Sequence, residues 1–529
     1  MYDYVIVGAG SAGCVVAGRL GEDPDVKVAV IEAGPPDDAP EIHMPLAFGP
    51  NLTSEWDWAL FSEPEPGLDH RRNYLPRGRV VGGSSSLNAM IYIRGNRADY
   101  DEWAAMGLAG WGYEDVLPYF KRAEDNERGA SRYHGVGGPL SVSESRSMHP
   151  VVEAWVEAAG QAGIPHNDDL NGATQDGAGR YQVTQRNGRR CSAAVAYLHP
   201  AVARGNVDVL TDARVYRILF EGKRAVGVEL MRHGRLEQVR AEREVILSAG
   251  AYHSPQLLML SGVGPAEALA PLGMEPFHEL PVGQNLHDHV MLNFVCLTDK
   301  GSLISSITPE AMEQYETEGR GPVTSNGGEG GAFVRTRDGL EAPDVQFHIG
   351  CLLLHEEFLG VPFDDAYTFG PAVVKPTSRG QVTLRSPLPH ARPRIVHNYL
   401  TTEEDRASMI AGVRLNFDIA GAAALKEWRR DDFLVPKSDS EGDIMDFVER
   451  RAHTLYHPVG TCAMGSVVDD ELRVIGLEGL RVVDASVMPT IPRGNTNAPT
   501  IMVAEKASDI IRERAPLPRE QPAVERVTA

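Results

Sequence analysis

The sequence predicts a mixed α/β (α+β) protein in which a domain built on a parallel sheet is interleaved with a second domain made of an antiparallel sheet and helices. "YDYVIVGAGSAGCVVAGRL" at 2–20 has a β-branched strand, a glycine-rich turn and a helix, as at the start of a βαβ unit. Residues 296–454 instead mix alternating strands, such as "DVQFHIG" and "GQVTLRS", with a helical stretch near 402–426. The length of 529 residues is enough for two such domains.

The chain is predicted to pass between the two domains more than once. Strands separated by turns recur over 205–250, and the last of them runs into Ala249-Gly250 before a helical stretch, as in the first unit. The C-terminal segment "GLRVVDASVMPTIPRGNTNAPTIMVAEKASDIIRER" adds a strand, a loop and a closing helix. We therefore assign 1–155, 205–295 and 455–529 to the first domain, and 156–204 and 296–454 to the second, substrate-facing domain.

Composition restricts the classes of partner. Lys plus Arg number 51 against 73 Asp plus Glu, and the formal charge of −22 argues against a nucleic-acid partner or an anionic membrane surface. No apolar run approaches the ~20 residues that a membrane span needs, so we expect a cytoplasmic protein. The cysteines are odd in number, scattered and without CxxC spacing, which indicates neither a disulfide framework nor a zinc site: Cys14, Cys191, Cys296, Cys351 and Cys462.

The N-terminal glycines carry the first functional signal. They follow a strand with the spacing G-x-G-x-x-G and open a helix, and "VKVAVIEAG" adds a second strand that ends at Glu32. In such a Rossmann-like unit the glycines allow a tight turn and close approach to a pyrophosphate, and the acid accepts from ribose hydroxyls. The predicted nucleotide-binding residues here are Gly8, Gly10, Ser11, Ala12, Gly13, Glu32 and Ala33. These residues predict a bound ADP moiety, but they leave open whether it belongs to NAD or FAD.

Several further motifs occur in a characteristic order along nearly the whole chain. They are "RGRVVGGSSSLNAMIYIRG", "GRRCSAAVAYLHP", "SAGAYHSPQLLMLSGVGP", "VGQNLHDH", "NGGEGGAF", "LYHPVGTCAMG" and "VVDASVMPTIPRGNTNAPTIMVAEK". With "GAGSAG" and "IEAG", they make the chain resemble the glucose–methanol–choline (GMC) oxidoreductases, and most of all the bacterial branch of choline and alkanol dehydrogenases and hydroxymethylfurfural oxidase. The resemblance implies an enzyme that uses FAD to oxidise alcohols.

The resemblance also implies where FAD binds. It places "GGSSSLNAM" close to the isoalloxazine and pyrophosphate, Val215 near the adenine, and the Asp484 and Asn497 segments at the flavin end. The cofactor-binding residues implied in this way are Gly82, Gly83, Ser84, Asn88, Ala89, Met90, Val215, Ala249, Gly250, Asp484, Ala485 and Asn497. Where some relatives carry a histidine bonded to the flavin, this chain has Leu87, which has no nucleophile. We therefore expect non-covalent FAD.

Two residues are the candidates for catalysis. The resemblance places His457 of "LYHPVGTCAMG" opposite the flavin N5 and pairs it with Asn495 of "RGNTN". An imidazole with an ordinary pKa of ~6.5 can take the hydroxyl proton near neutral pH, whereas an amide only positions the hydroxyl. No ligand set accompanies His457 apart from His453 and Cys462, so no metal is expected. The other nearby candidates are interpreted as packed core residues: His287, His289, His453 and Cys462.

The predicted reaction is the oxidation of a primary alcohol to an aldehyde, with hydride passing to flavin N5, His457 as the base and Asn495 orienting the hydroxyl. An FAD-containing lyase on the same scaffold is the first alternative. A choline-specific dehydrogenase or oxidase is the second, because Glu329, Glu356 and Glu357 could meet a cationic alcohol. We favour an uncharged alcohol with an apolar or aromatic body. The electron acceptor, oxygen or another molecule, and the oligomeric state stay open.

Overall fold

The computed structural model of the protein describes residues 1–355, 357 and 359–520. The described residues form strands β1 Tyr2–Val7, β2 Val28–Ile31, β3 Leu60–Phe61, β4 Tyr74–Leu75, β5 Glu124–Asn126, β6 Leu140–Val142, β7 Gly177–Arg180, β8 Gln185–Arg186, β9 Arg189–Arg190, β10 Val207–Leu210, β11 Ala213–Glu221, β12 Arg224–Arg232, β13 Arg235–Leu247, β14 Val290–Met291, β15 Phe294–Leu297, β16 Gly328–Val334, β17 Val345–Gly350, β18 Ala366–Val373, β19 Gln381–Thr383, β20 Arg394–Val396, β21 Asp431–Leu434, β22 His453–Thr454 and β23 Leu480–Val482.

The helices lie between these strands and cover the sheets. They are α1 Ser11–Leu20, α2 Pro40–His43, α3 Arg97–Ala105, α4 Tyr113–Ala123, α5 Pro150–Gln161, α6 His199–Val202, α7 Gly250–Leu260, α8 Ala266–Leu269, α9 Pro309–Glu318, α10 Glu403–Gly421, α11 Glu441–Arg451 and α12 Asn497–Ile511. In the part of the chain that the structure describes, none of these helices combines the length and the apolar character of a membrane span.

The first sheet has the strand order β10-β2-β1-β13-β12-β11, and β23 also pairs with β13. β1, β2, β10 and β23 pair in parallel, whereas β12 pairs antiparallel with both β11 and β13. The strand and helix expected at the N-terminus are β1 and α1. β1 and β2 are rich in valine and isoleucine, and β2 is buried along its whole length, as expected for parallel strands covered on both faces.

The second sheet is antiparallel, with the order β21-β15-β18-β17-β16-β7. β14 extends it, because β14 pairs with both β18 and β22. α5 and α10 pack on this sheet over a core that includes Trp155, Phe294, Phe347 and Phe369. A parallel sheet and an antiparallel sheet, each with helices, confirm the predicted mixed α/β fold.

The division of the chain between two domains stays a prediction. The predicted boundary at 295 lies within β15, and both β14 and β15 hydrogen-bond into the second sheet. The chain therefore enters the antiparallel sheet a few residues before the predicted boundary.

Candidate active site

A cavity of about 350 Å³ opens where the parallel strands end. β1, β2 and β13 finish level with one another, since Val7 pairs with both Ile31 and Leu247, and β23 ends beside β13. The residues that follow these strands line the cavity: Gly8, Glu32, Ser248, Ala249, Gly250 and Asp484. Ligands of α/β sheets bind at this carboxyl edge, where the chain leaves the sheet.

The N-terminal glycines have three different roles. Gly8 has φ of 102°, and a Cβ there would lie 2.5 Å from the Ser248 carbonyl oxygen. At Gly13, within α1, a Cβ would lie 1.9 Å from the carbonyl oxygen of Gly8. A Cβ at Gly10 would stay 3.9 Å from the nearest protein atom, yet Gly10 lines the cavity. Gly8 and Gly13 are therefore required by the backbone, whereas the space beside Gly10 is open to a ligand.

The start of α1 suits an anion. The N-cap of this helix is Gly10, and no side chain caps the first backbone N–H groups. Such groups at a helix N-terminus attract phosphate. Glu32, buried at the end of β2, accepts from the backbone N–H groups of Ala9 and Gly34, both at 2.9 Å, and burial raises its pKa to about 7. Its remaining lone pairs suit ribose hydroxyls, so this half of the cavity fits a dinucleotide.

The glycine-rich loop at 82–90 closes over the first glycine turn. Gly83 has φ of 54°, and a Cβ there would lie 2.6 Å from Cα of Gly10. The buried Arg190 holds the loop, because its guanidinium donates to the Asn88 carbonyl at 2.6 Å and to the Asn88 side-chain oxygen at 2.8 Å. The "GRRCSAAV" motif thus acts on the loop through Arg190.

The structure brings most of the sequence-predicted cofactor residues to the same cavity. The lining includes Gly8, Gly10, Ser11, Ala12, Glu32, Ala33, Gly83, Ser84, Asn88, Ala89, Met90, Val215, Ala249, Gly250, Asp484, Ala485 and Asn497. Gly13 and Gly82 lie behind the lining, where they shape the backbone. Trp58 and Arg214 were missed by the sequence reasoning. They line the cavity next to Val215, with the Arg214 guanidinium 5.1 Å from the Trp58 ring centroid.

His457 and Asn495 line the same cavity and contact each other. Nδ2 of Asn495 lies 3.3 Å from Nε2 of His457. The backbone N–H of His457 donates to Asp288 at 2.8 Å, and Asp288 also accepts from Tyr399 at 2.5 Å and Thr454 at 2.6 Å. The buried carboxylate therefore fixes the backbone that carries the imidazole.

The segments around His289 and His457 run antiparallel, and this pairing brings the two rings together. His287 and Val459 exchange backbone hydrogen bonds at 3.1 and 3.0 Å, and Leu455 N–H donates to the His289 carbonyl at 2.8 Å. Nδ1 of His289 consequently lies 3.0 Å from Nδ1 of His457, with the ring planes at 87°. The sequence reasoning interpreted His289 as a packed core histidine. It is buried, and it also contacts the candidate base.

The histidines at this end of the cavity are uncharged near neutral pH. Burial lowers the pKa of His457 well below its ordinary value, and the positive charge of Arg77 adds to the effect. Burial likewise lowers the pKa of His289 to about 3 and that of His348, another lining residue, to about 4. A neutral imidazole can accept a proton, so the state needed for a base is the resting state.

The rest of this end of the cavity is apolar. Its lining includes Phe48, Leu52, Ile91, Met291, Ile349, Leu354 and Leu455. Among the described lining residues the carboxylates are Glu32 and Asp484, and both follow strands of the parallel sheet. No group of three or more potential metal ligands occurs among residues 1–355, 357 and 359–520.

A dinucleotide cavity at the carboxyl edge of a parallel sheet, with a neutral buried histidine at its far end, defines a nucleotide-dependent oxidoreductase. Family models described as GMC oxidoreductase match residues 2–291 and 376–504. The chain belongs to the GMC oxidoreductase family, as its motifs indicated.

Known proteins of similar sequence and structure agree with this assignment. The chain is 43% identical to alcohol dehydrogenase [acceptor] of Pseudomonas putida, over 97% of this chain and 96% of that protein. It is 45% identical to mitochondrial choline dehydrogenase of Homo sapiens, over 97% and 90% of the two chains. The structure of pyridoxine 4-oxidase from Mesorbium loti superposes with a TM-score of 0.89 at 32% identity, covering 97% of this chain and 100% of that one. This chain is an FAD-dependent oxidoreductase that acts on alcohols.

Proposed function

We propose that the protein oxidises an uncharged primary alcohol to an aldehyde, with His457 as the base and Asn495 as the residue that orients the hydroxyl. The observation that carries the proposal is the contact of the neutral, buried His457 with the Asn495 amide in the cavity that also contains the nucleotide-binding strand ends. A base and an orienting amide at one point are what alcohol activation needs.

Each residue has one task. Bound FAD supplies the acceptor for the hydride that leaves the alcohol carbon. Nε2 of His457 takes the hydroxyl proton, and the Asn495 amide, which has no proton to exchange near neutral pH, donates a hydrogen bond to the alcohol oxygen. The apolar lining excludes water from the reacting groups.

The lining favours an uncharged substrate over choline. A quaternary ammonium needs a carboxylate or an aromatic wall, and the carboxylates of the described lining belong to the nucleotide half. Glu329, one of the predicted candidates, is buried outside the lining and accepts from Ser325 at 2.5 Å and His149 N–H at 2.7 Å. Glu357 accepts from the Tyr74 N–H at 2.6 Å, and Glu356 lies outside the described residues.

Choline oxidation is the second candidate function, because relatives that are 42% to 45% identical carry the name choline dehydrogenase. The two candidates make opposite predictions for substrate preference. On the lining given above, kcat/KM for benzyl-type alcohols or linear alkanols exceeds kcat/KM for choline. A kcat/KM for choline above that of every uncharged alcohol tested would reverse the assignment.

The FAD is proposed to be non-covalent. Leu87, at the position where some relatives attach the flavin, lines the cavity and has no nucleophile. Acid precipitation of the purified protein should leave the yellow colour in the supernatant. Colour retained in the protein pellet would show a covalent bond elsewhere.

Anaerobic mixing of the yellow protein with a panel of primary alcohols tests the reaction itself. Net oxidation bleaches the flavin absorbance in a single turnover, and the bleached protein then reports its acceptor when oxygen, a quinone or a dye is added. A lyase would convert a cyanohydrin without bleaching. Absence of bleaching with every alcohol tested would overturn the proposal.

A further inference from the structure

We infer that His289 and Gln346 are positioning residues that fix the tautomer of His457, so that Nε2 of His457 is held as the proton acceptor. The inference rests on the proposed role of His457 as base. It depends on a hydrogen-bonded chain that runs from Tyr181 through Gln346, Asn495 and His457 to His289. Neither His289 nor Gln346 reaches the substrate in this account; both act through their neighbours.

The polarity of this chain is set at its Tyr181 end. The Tyr181 hydroxyl has one proton, and it donates that proton to the Phe347 carbonyl at 2.8 Å. A carbonyl can only accept. Tyr181 must therefore accept from Gln346, whose side-chain Nε2 lies 3.0 Å away.

The Gln346 amide orients Asn495 in turn. With Nε2 of Gln346 toward Tyr181, its second proton points to Oδ1 of Asn495 at 3.4 Å. Gln346 is fully buried, and in this orientation its carbonyl oxygen is the atom without a partner. The reverse orientation would leave a buried NH₂ group without acceptors, and orphaned donors are rarer than orphaned carbonyl oxygens. Asn495 therefore presents its NH₂ group to His457.

The last step fixes the imidazole. Because the Asn495 NH₂ group lies 3.3 Å from Nε2 of His457, that nitrogen must be the acceptor, and the ring proton resides on Nδ1. Nδ1 then donates to Nδ1 of His289 at 3.0 Å. Two neutral imidazoles whose Nδ1 atoms meet need one donor and one acceptor, so His289 carries its own proton on Nε2. The tautomer obtained is the one that a base acting at Nε2 requires.

A pair of variants of nearly equal shape tests the His289 end. Asparagine and leucine occupy similar volumes, but only the oxygen of asparagine can accept from the His457 Nδ1–H. Anaerobic stopped-flow reduction should be measured with the best alcohol of the panel. We expect His289→Leu to lower the limiting rate of flavin reduction roughly 10- to 10³-fold, below the full contribution of a general base, and His289→Asn to stay within about threefold of wild type. The substrate dissociation constant and the FAD content should change less than about twofold in both.

The outcomes separate this inference from the one on which it rests. Equal losses in the leucine and asparagine variants, or no loss in either, would overturn the role of His289. If His457→Ala reduces as fast as wild type, the base itself is misassigned, whatever the His289 variants do.

Tyr181→Phe tests the other end without touching the histidines, and it serves if His289→Leu does not fold. The variant removes one oxygen and leaves the buried ring in place, which frees the Gln346 and Asn495 amides to rotate. We expect flavin reduction to slow by roughly three- to tenfold with unchanged FAD content. A wild-type rate in Tyr181→Phe, together with a wild-type rate in His289→Asn, would show that the polarity of the chain does not matter for the base.

Discussion

The two halves of the cavity are constructed in different ways. The nucleotide half consists of consecutive residues: a glycine turn, a strand end and a helix start, whose shape follows from backbone geometry at Gly8 and Gly13. The histidine half is assembled from segments far apart in the chain, with His289 and His457 separated by 168 residues. The first half can therefore be inferred from a short motif, whereas the second depends on which strands pair and in which register.

The largest expected effect separates the backbone role of one glycine from the ligand role of another. Gly13→Ala places a Cβ 1.9 Å from the Gly8 carbonyl oxygen. That overpacking should destabilise the protein by roughly 1–3 kcal/mol or more, which outweighs the gain of about 1 kcal/mol in helix propensity. Chemical unfolding of the FAD-free protein measures the loss.

Gly10→Ala is the matched variant. Its Cβ contacts no protein atom closer than 3.9 Å, so the unfolding of the FAD-free protein should match wild type. FAD affinity should fall by about tenfold or more, because the methyl group enters the space reserved for the pyrophosphate. Equal FAD affinity in Gly10→Ala and wild type would place the pyrophosphate elsewhere.

A smaller effect is expected in the histidine half, at Asn495. Asn495→Ala removes the donor that orients the hydroxyl, and flavin reduction should slow by about tenfold, as expected for the loss of one hydrogen bond in the transition state. Asn495→His restores a donor and should recover a substantial part of the rate. The ratio of FAD to protein is the control, and loss of FAD in both variants would show that Asn495 is structural.

The smallest expected effect concerns pH. Burial and the charge of Arg77 lower the pKa of His457 well below 6.5, so the base is already neutral at pH 6.5 and loses its activity only as the pH falls through the lowered pKa. The rate of flavin reduction should change by less than about twofold between roughly pH 6.5 and pH 8. Anaerobic reduction across this range measures it. An acid limb with its midpoint at or above pH 7 would show that His457 is solvated or paired with a carboxylate in the working enzyme.

The sequence was sufficient for the parallel-sheet fold and for the family. The glycine spacing, the strand ending at Glu32 and the glycines after β13 each depend on residues close together in the chain, where period and turn chemistry are informative. The pairing of His457 with Asn495 came from the family resemblance, and the structure brings the two side chains to 3.3 Å.

The residues that were missed lie on the antiparallel sheet. His289 meets His457 only because the segments at 287–291 and 453–459 pair, and a single sequence does not specify that register. A signal for Gln346 and His348 was present in "DVQFHIG": two polar residues alternate along an otherwise apolar strand, and so share one face. On a buried strand such a polar face indicates a site or a hydrogen-bonded network.

The most direct test of the account is the anaerobic single-turnover reduction of FAD-loaded His457→Ala by the preferred alcohol. The account predicts a limiting rate roughly 10² to 10⁴ times below wild type, with FAD content and thermal unfolding unchanged, because the variant loses the proton acceptor and nothing else in the cavity. A wild-type rate of flavin reduction in that variant would contradict the assignment of His457 as the base.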